Sequence, residues 1–403
     1  MKLRQGSWMI LGLVTLVGCS RSGPPVYPTW SPQLPQYEPR DGAGGFDSVC
    51  LAGQGVEESL DGKQLSKFNF TDRDKELYSA KVAPQTERMI AALAENPRYE
   101  FRPTPPLERP KFVGGWRLIG ESLIWRTEAA VKAKNPAEAV RMFTGAARFC
   151  RLMMQGDANT AQMGLHVLDG SRAALGPALV SLGASNLQKL VTVVEETCSA
   201  PSFTDAALKN ESAQALAALQ FFQDAYAAQN WKRLEDNFET VGRDASRLLK
   251  AMEPTSSKRV ELFDKLKERI DTELSWQLAR AAVPAAKRPQ YPKLGGGEFG
   301  RLWISTFGMA GRGVITSADT TLARCRLLAL TAHMQALASQ KQPLPRDLSA
   351  LPKWLRNDPV SGVEFVYRTN GVEFDCYSRG ADGRDDLGRT DEPGLNPDLR
   401  LER

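Results

Sequence analysis

The chain has 403 residues, of which 42% are hydrophobic and 25% charged, a composition typical of soluble globular proteins with room for two or three domains. The net charge of +5 arises from basic and acidic residues intermixed along most of the length, which is too mild and too dispersed for a nucleic-acid surface. Two histidines and no C-x-x-C pair argue against a zinc finger, and neither a P-loop nor a dinucleotide fingerprint occurs.

Lys2 and Arg4 precede an apolar run from Trp8 to Val17, too short to span a bilayer stably. No A-x-A-like cleavage site follows, and the run ends at Leu16-Val17-Gly18-Cys19. This order resembles the lipobox of bacterial lipoproteins. The resemblance implies that residues 1–18 are a signal peptide and that Cys19 is acylated, becoming the first residue after cleavage. Two or more acyl chains anchor a protein firmly, at ~0.8 kcal/mol per buried CH₂. Ser20 stands where an aspartate retains such proteins in the inner membrane, so the expected location is the cell envelope, with the outer membrane favoured.

Residues 19–45 are crowded with proline (Pro24, Pro25, Pro28, Pro32, Pro35 and Pro39) and end in Gly42-Ala43-Gly44-Gly45. They read as an extended tether, at ~3.1 Å per residue where polyproline-like.

Residues 46–290 carry a helical signal. Val140, Phe143, Ala147, Cys150 and Met154 recur at three- and four-residue steps. So do Trp231, Leu234, Phe238, Val241, Ala245, Leu248 and Met252, and again Phe263, Leu266, Ile270, Leu274 and Leu278. Each stripe predicts a helix with one apolar face. Asn135 before Pro136 predicts a helix start, and Ser185 or Asn186 a second, while Pro254 and Pro284 mark helix ends. Residues 103–110 are proline-rich and read as a loop. Lys134 to Met154 has a faint tetratricopeptide texture, but no thirty-four-residue period continues it. The expected fold class is mainly α, an irregular helical bundle or α-solenoid followed by a small α+β module.

Leu294-Gly295-Gly296-Gly297 reads as a hinge, and residues 291–316 as a linker. A helix is predicted over 317–340, then a proline loop, then strands over 364–368 and 372–378 around Thr369-Asn370-Gly371, since Asn-Gly is a strong hairpin signal. On the second strand, Phe374 and Cys376 alternate with Asp375 and Tyr377, the pattern of a half-buried strand.

Residues 321–388 resemble the globular end of the type II secretion major pseudopilin. The residues that carry the likeness are Asp358-Pro359, Gly362, Tyr367, Phe374-Asp375, Tyr377-Ser378 and Gly380-Ala381-Asp382-Gly383. A lipobox and a long helical region replace that family's prepilin site and filament helix, so residues 317–403 are read as a reused pseudopilin-like module. In that family the loop after the last strand binds calcium. The resemblance implies oxygen ligands from Ser378, Asp382, Asp385 and Asp386, with Asp391 a further donor. Arg379, Arg384 and Arg389 oppose this, and a solvated Asp/Gly turn is the competing reading.

Lipidation of Cys19 leaves an odd five cysteines. Cys325 on the module's helix and Cys376 on its strand are the expected disulfide, and a Cys150–Cys198 bridge is the alternative. His166, Asp169 and Ser171 lie close in sequence, but hydrolase triads are assembled from distant elements and no G-x-S-x-G occurs. His166 therefore reads as a helix-end residue, and His333 beside Met334 as packing. Glu121 could serve as an acid but lacks a marked second carboxylate.

The expected function is a membrane-anchored envelope lipoprotein acting as a non-enzymatic scaffold or protein-binding protein. Its expected partners are the membrane, through the lipid, and an envelope protein, with no nucleic acid. Calcium is the one candidate cofactor, and no catalytic set is assigned. The alternatives are an envelope hydrolase acting on cell-wall or polymeric material, and an accessory of a secretion or pilus system.

Overall fold

A computed structural model describes residues 38–42, 44–103, 110–199, 203–227, 256–289, 311–389 and 398–401. The lipobox, most of the tether, the stripe from Trp231 to Met252, Pro254, the glycine hinge and Asp391 lie outside these residues.

The described chain is mainly helical. In order it forms α1 (Phe46–Ser59), the single turn α2 (Gly62–Leu65), α3 (Asp72–Ala94), α4 (Val113–Lys132), α5 (Pro136–Met153) and α6 (Ala158–Leu175). A 3₁₀ segment (Gly176–Ser181) leads to α7 (Ala184–Cys198), followed by α8 (Asp205–Ala227) and α9 (Ser256–Ala281). Then come α10 (Gly311–Ser339), the short α11 (Lys353–Arg356), and strands β1 (Val366–Thr369) and β2 (Phe374–Tyr377).

Local chemistry sets many of these boundaries. Thr71 caps α3 through a reciprocal pair with Asp74, and Asn135 accepts from the Glu138 amide just before Pro136 opens α5. Asp157 caps α6 through Thr160. α7 begins at Ala184 after Gly183, one residue before the expected start, with no side-chain cap.

Two hydrophobic cores meet along α5. Val140, Phe143, Ala147, Cys150 and Met154, the predicted stripe, pack toward α6, α7 and α10. Met142, Ala146, Phe149 and Leu152 of the same helix pack toward α1, α3 and α4. α6 touches α4 as well as α5, and α10 lies on both α6 and α7. The described body is thus mainly helical, with α10 returning onto α6 and α7. In the predicted third stripe, Leu266 and Ile270 are buried.

α10 starts six residues inside the predicted linker. Gly311 packs against Gln277 and Leu208, and Arg312 pairs with the buried Glu273 at 3.1 Å, so α9 and α8 stabilise a first turn whose glycines read as a linker. The helix assigned to the C-terminal module thus shares its core with α5, α6 and α7.

β1 and β2 pair antiparallel, with Val366 opposite Tyr377 and Thr369 opposite Phe374. The turn is longer than a two-residue hairpin: Asn370 Oδ1 accepts from the amides of Val372 and Glu373 at 3.0 and 2.7 Å, and Gly371 takes φ of 92°. The predicted alternation on β2 fails at Tyr377, which is fully buried. Arg400 and Arg368 lie over its ring at 5.0 and 5.6 Å, and Leu399 pairs with Ser378, so the returning tail covers that face.

Candidate functional site

α5 is buried on most of its surface, and its remaining outer stripe is polar. Ala137, Arg141, Thr144 and Arg148 run along one side of it, and α7 presents Ser185, Gln188, Lys189, Thr192 and Glu196 along a facing stripe. Between them is an open cleft of about 760 Å³, floored by Val140 and Val193. Helix packing explains its position: the inner faces of α5 and α7 are drawn together through Phe143, Leu187, Leu190 and Val194, and their outer edges diverge.

One end of the cleft is electrostatically fixed. Arg141 donates to Glu87 at 2.8 and 2.9 Å and to Glu138 at 2.7 and 2.9 Å, and Arg126 joins Glu87 at 2.6 Å. The Arg141 hydrogen bonds lead in holding the Glu87 carboxyl down to about 2. Arg148 and Lys189, further along, form no ion pair with another described residue. The wall therefore mixes apolar surface with two cations, Arg148 and Lys189, and one exposed carboxylate, Glu196.

His166 and Glu121 come together on the α4–α6 surface, with Nε2 to Oε1 at 3.1 Å. The Glu121 hydrogen bond raises the His166 pKa above its ordinary value. His166 stands mid-helix in α6, contrary to the helix-end reading, because the helix continues to Leu175. Ser171 lies five residues on, about 140° around an ideal helix, and its side chain is buried. Asp169 is held by Arg172 at 2.8 Å and Arg324 at 2.9 Å. Ser171 thus points away from His166, and the Asp169 carboxylate is committed to two arginines. His333 is half-buried, and burial lowers its pKa, as a packing role requires.

The residues of the implied calcium loop have hydrogen-bond partners within the protein. Ser378 is buried and donates to Asp358 Oδ2 at 2.7 Å. Asp385 accepts from the Tyr377 hydroxyl at 2.8 Å and the Leu387 amide at 3.0 Å, with Arg368 at 3.4 Å. Asp382 caps the Arg384 amide at 3.0 Å, and the Asp386 carbonyl accepts from the Arg389 amide. No group of three or more acidic, histidine or cysteine side chains forms a metal-holding cluster among the described residues. The buried carboxylate that organises this region is Asp358, which also takes the amides of Val360 and Ser361 at 2.9 and 3.2 Å. The Asp358-Pro359 motif signals that turn, though not its link to Ser378.

The expected Cys325–Cys376 pair is not brought together. Cys376 faces Thr331 Oγ1 at 3.4 Å, six residues from Cys325 along α10, or about 9 Å of helix rise. The neighbouring Cys198 and burial raise the Cys325 thiol well above its ordinary pKa. No disulfide joins the described cysteines, and the Cys150–Cys198 alternative is likewise not formed. Sequence reasoning missed the α5–α7 cleft, whose only sequence signal is the polar stripe opposite an apolar one.

No family model, curated protein or solved structure matches the chain.

Proposed function

We propose that this protein is a lipid-anchored scaffold of the bacterial cell envelope that docks an acidic segment of a partner protein along the α5–α7 cleft. The observation that carries the docking reading is the open cleft in which two cations, Arg148 and Lys189, outnumber the one carboxylate, Glu196. The anchor rests on Leu16-Val17-Gly18-Cys19 and the proline-rich stretch after it. The antiparallel pair β1–β2 following α10 and a proline-containing loop supports reading the C-terminal end as a small unit similar to a pseudopilin globular end. Here that unit serves as a structural cap on the bundle.

Two measurements test this. Growth with labelled palmitate should label the wild-type chain, and Cys19→Ala should abolish the label and release the protein from washed membranes. Photo-crosslinkers at Thr144 and Thr192 should capture one discrete envelope protein, while a crosslinker at exposed Asp271 should not. Arg148→Glu with Lys189→Glu should reduce that capture at least about tenfold, a loss of ~1.4 kcal/mol. Equal capture from the cleft and from Asp271 would remove the docking reading.

A further inference from the structure

The buried stripe of α9 changes character along its length. Leu266 and Ile270 are buried, and the next buried positions at three- and four-residue steps are Glu273 and Gln277, both fully enclosed. Leu274 and Leu278, which the apolar pattern would place there, are only half-buried. α8 carries a similar mixture, with Glu211 and Ser212 buried between Leu208 and Ala215. Among the described residues, α8 and α9 pack mainly on each other.

Polar groups fasten this pair to the rest of the body at three places. At the start of α6, Asn210 Nδ2 donates to the carbonyls of Gln155 and Gly156 at 2.7 and 3.1 Å, and Glu211 Oε2 accepts from the Ala158 amide at 3.2 Å. At the first turn of α10, Glu273 Oε1 accepts from Nε and Nη2 of Arg312, both at 3.1 Å, and from Gln277 Nε2 at 3.1 Å. Beyond the end of α9, Arg288 Nε donates to the carbonyls of Arg280 and Val283 at 2.8 and 2.7 Å, which closes that helix end. Its Nη2 donates to Asp319 Oδ1 on α10 at 2.9 Å, and the Ala286 amide nearby donates to the Val360 carbonyl at 3.0 Å. Apolar contact across the same seam includes Ala207, which reaches the shared core, and Leu208 beside Gly311.

We propose that α8 and α9 form an arm that opens from the body as one unit, letting go at the polar seam while the two helices stay paired. Apolar burial stabilises in proportion to the area removed from water. A buried ion pair recovers little beyond the desolvation of its own charges. Opening returns Glu211, Glu273, Arg288 and Asp319 to water, which solvates them, whereas opening α5 would expose Phe143 and Phe149. The seam therefore releases at lower free energy than the two cores beside α5. The fasteners sit on α8, on α9 and on the turn after α9, so loss of one loosens both helices. Opening bares the first turn of α6 and the first turn of α10.

The test is hydrogen exchange of the full chain in detergent, read by mass spectrometry over a series of low denaturant concentrations. In the wild type, peptides from 205–220 and 264–281 should share one opening and exchange at least about tenfold faster than peptides from 140–153 of α5. Glu273→Gln leaves the Arg312 charge without its carboxylate. It should speed exchange in both arm peptides about tenfold or more and leave 140–153 unchanged. Arg288→Met, which removes the link to Asp319 and the closure of α9, should do the same from the other end of the arm. Equal protection of all three regions in the wild type overturns the proposal, and that comparison holds even if a variant fails to fold. Unequal denaturant dependence of the two arm peptides also overturns it, as does acceleration confined to 264–281 in both variants.

Discussion

The core between α1, α3 and α4 is aromatic, whereas the core between α6, α7 and α10 is aliphatic and sulfur-bearing. The first buries Phe46, Tyr78, Phe112, Trp116, Trp125 and Phe149. The second relies on leucine, alanine, valine and four cysteines, with Phe143 and Phe365 its buried aromatic residues. Large rings fix geometry through edge-to-face contacts, such as Phe70 with Trp125 at 4.9 Å, and through polar handles. Trp116 Nε1 donates to the Val49 carbonyl at 2.9 Å inside the first core. Where α1 and α4 cross, backbone meets backbone: a Cβ at Gly115 would collide with the Gly53 carbonyl. Small side chains in the second core let α10 settle into the groove of α6 and α7. The comparison teaches that the aromatic half is fixed by shape, while the aliphatic half is fixed by fit between helices.

The largest expected effect is in the aromatic core. Trp116→Ala should cost about 3–5 kcal/mol, read as a shift of the denaturation midpoint, because it removes a fully buried ring and its hydrogen bond. Leu328→Ala, in the aliphatic core, should cost about 2–4 kcal/mol. If the leucine change proved the costlier, the contrast between the cores would reverse. Gly115→Ala should destabilise by about 3 kcal/mol through enforced separation of α1 and α4, whereas Gly183→Ala, with open space around it, should stay within about 0.5 kcal/mol in the same assay.

Smaller effects come from charge. Glu87 is held down to about 2 in the folded state against an ordinary value near 4.5, so its contribution is fully present above pH 4.5 and is lost as pH falls through about 2. The Glu87 side chain is 44% exposed, so solvent screening limits the contribution to about 1 kcal/mol. Acid unfolding of Glu87→Gln should be correspondingly less steep in that window. His166 has the opposite sign. Its folded pKa is raised, so its contribution is present below pH 6.5 and fades as pH rises through the folded value. Glu121→Gln should lower the His166 titration midpoint measured by NMR, with almost no change in melting temperature.

Much of the helical body was legible in the sequence because burial on one side imprints a period of 3.6. The Val140 to Met154 stripe and the Asn135-Pro136 start both appear where the sequence places them. The start of α10 was not legible, because Gly311 and Gly313 suit a linker and become helical only through contacts from Gln277, Leu208 and Gln162. The hairpin was legible from Asn370-Gly371, but its length was not, since the Asn370 side chain caps two further amides. The surroundings of Cys325 were invisible for a different reason: helix periodicity says which face a residue occupies, not which distant helix covers it. The α5–α7 cleft shares that obscurity, being a property of two divergent helix edges.

The end of the proline-rich stretch is sewn to the body at several points, among them an ion pair of Asp41 with Arg88 of α3 at 3.8 Å. The Arg40 amide donates to Asp47 Oδ1 at 3.1 Å, and the Gly45 amide donates to Glu95 Oε2 at 3.1 Å, at the far end of α3. Tension along the chain from its N-terminal side therefore enters at the start of α1 and the end of α3 together. The stitches share the load in parallel, and the helices beneath them belong to the aromatic core. Mechanically, the molecule takes the strain at its stiffest part, while α5 and α7, on which the cleft lies, stay outside the line of force.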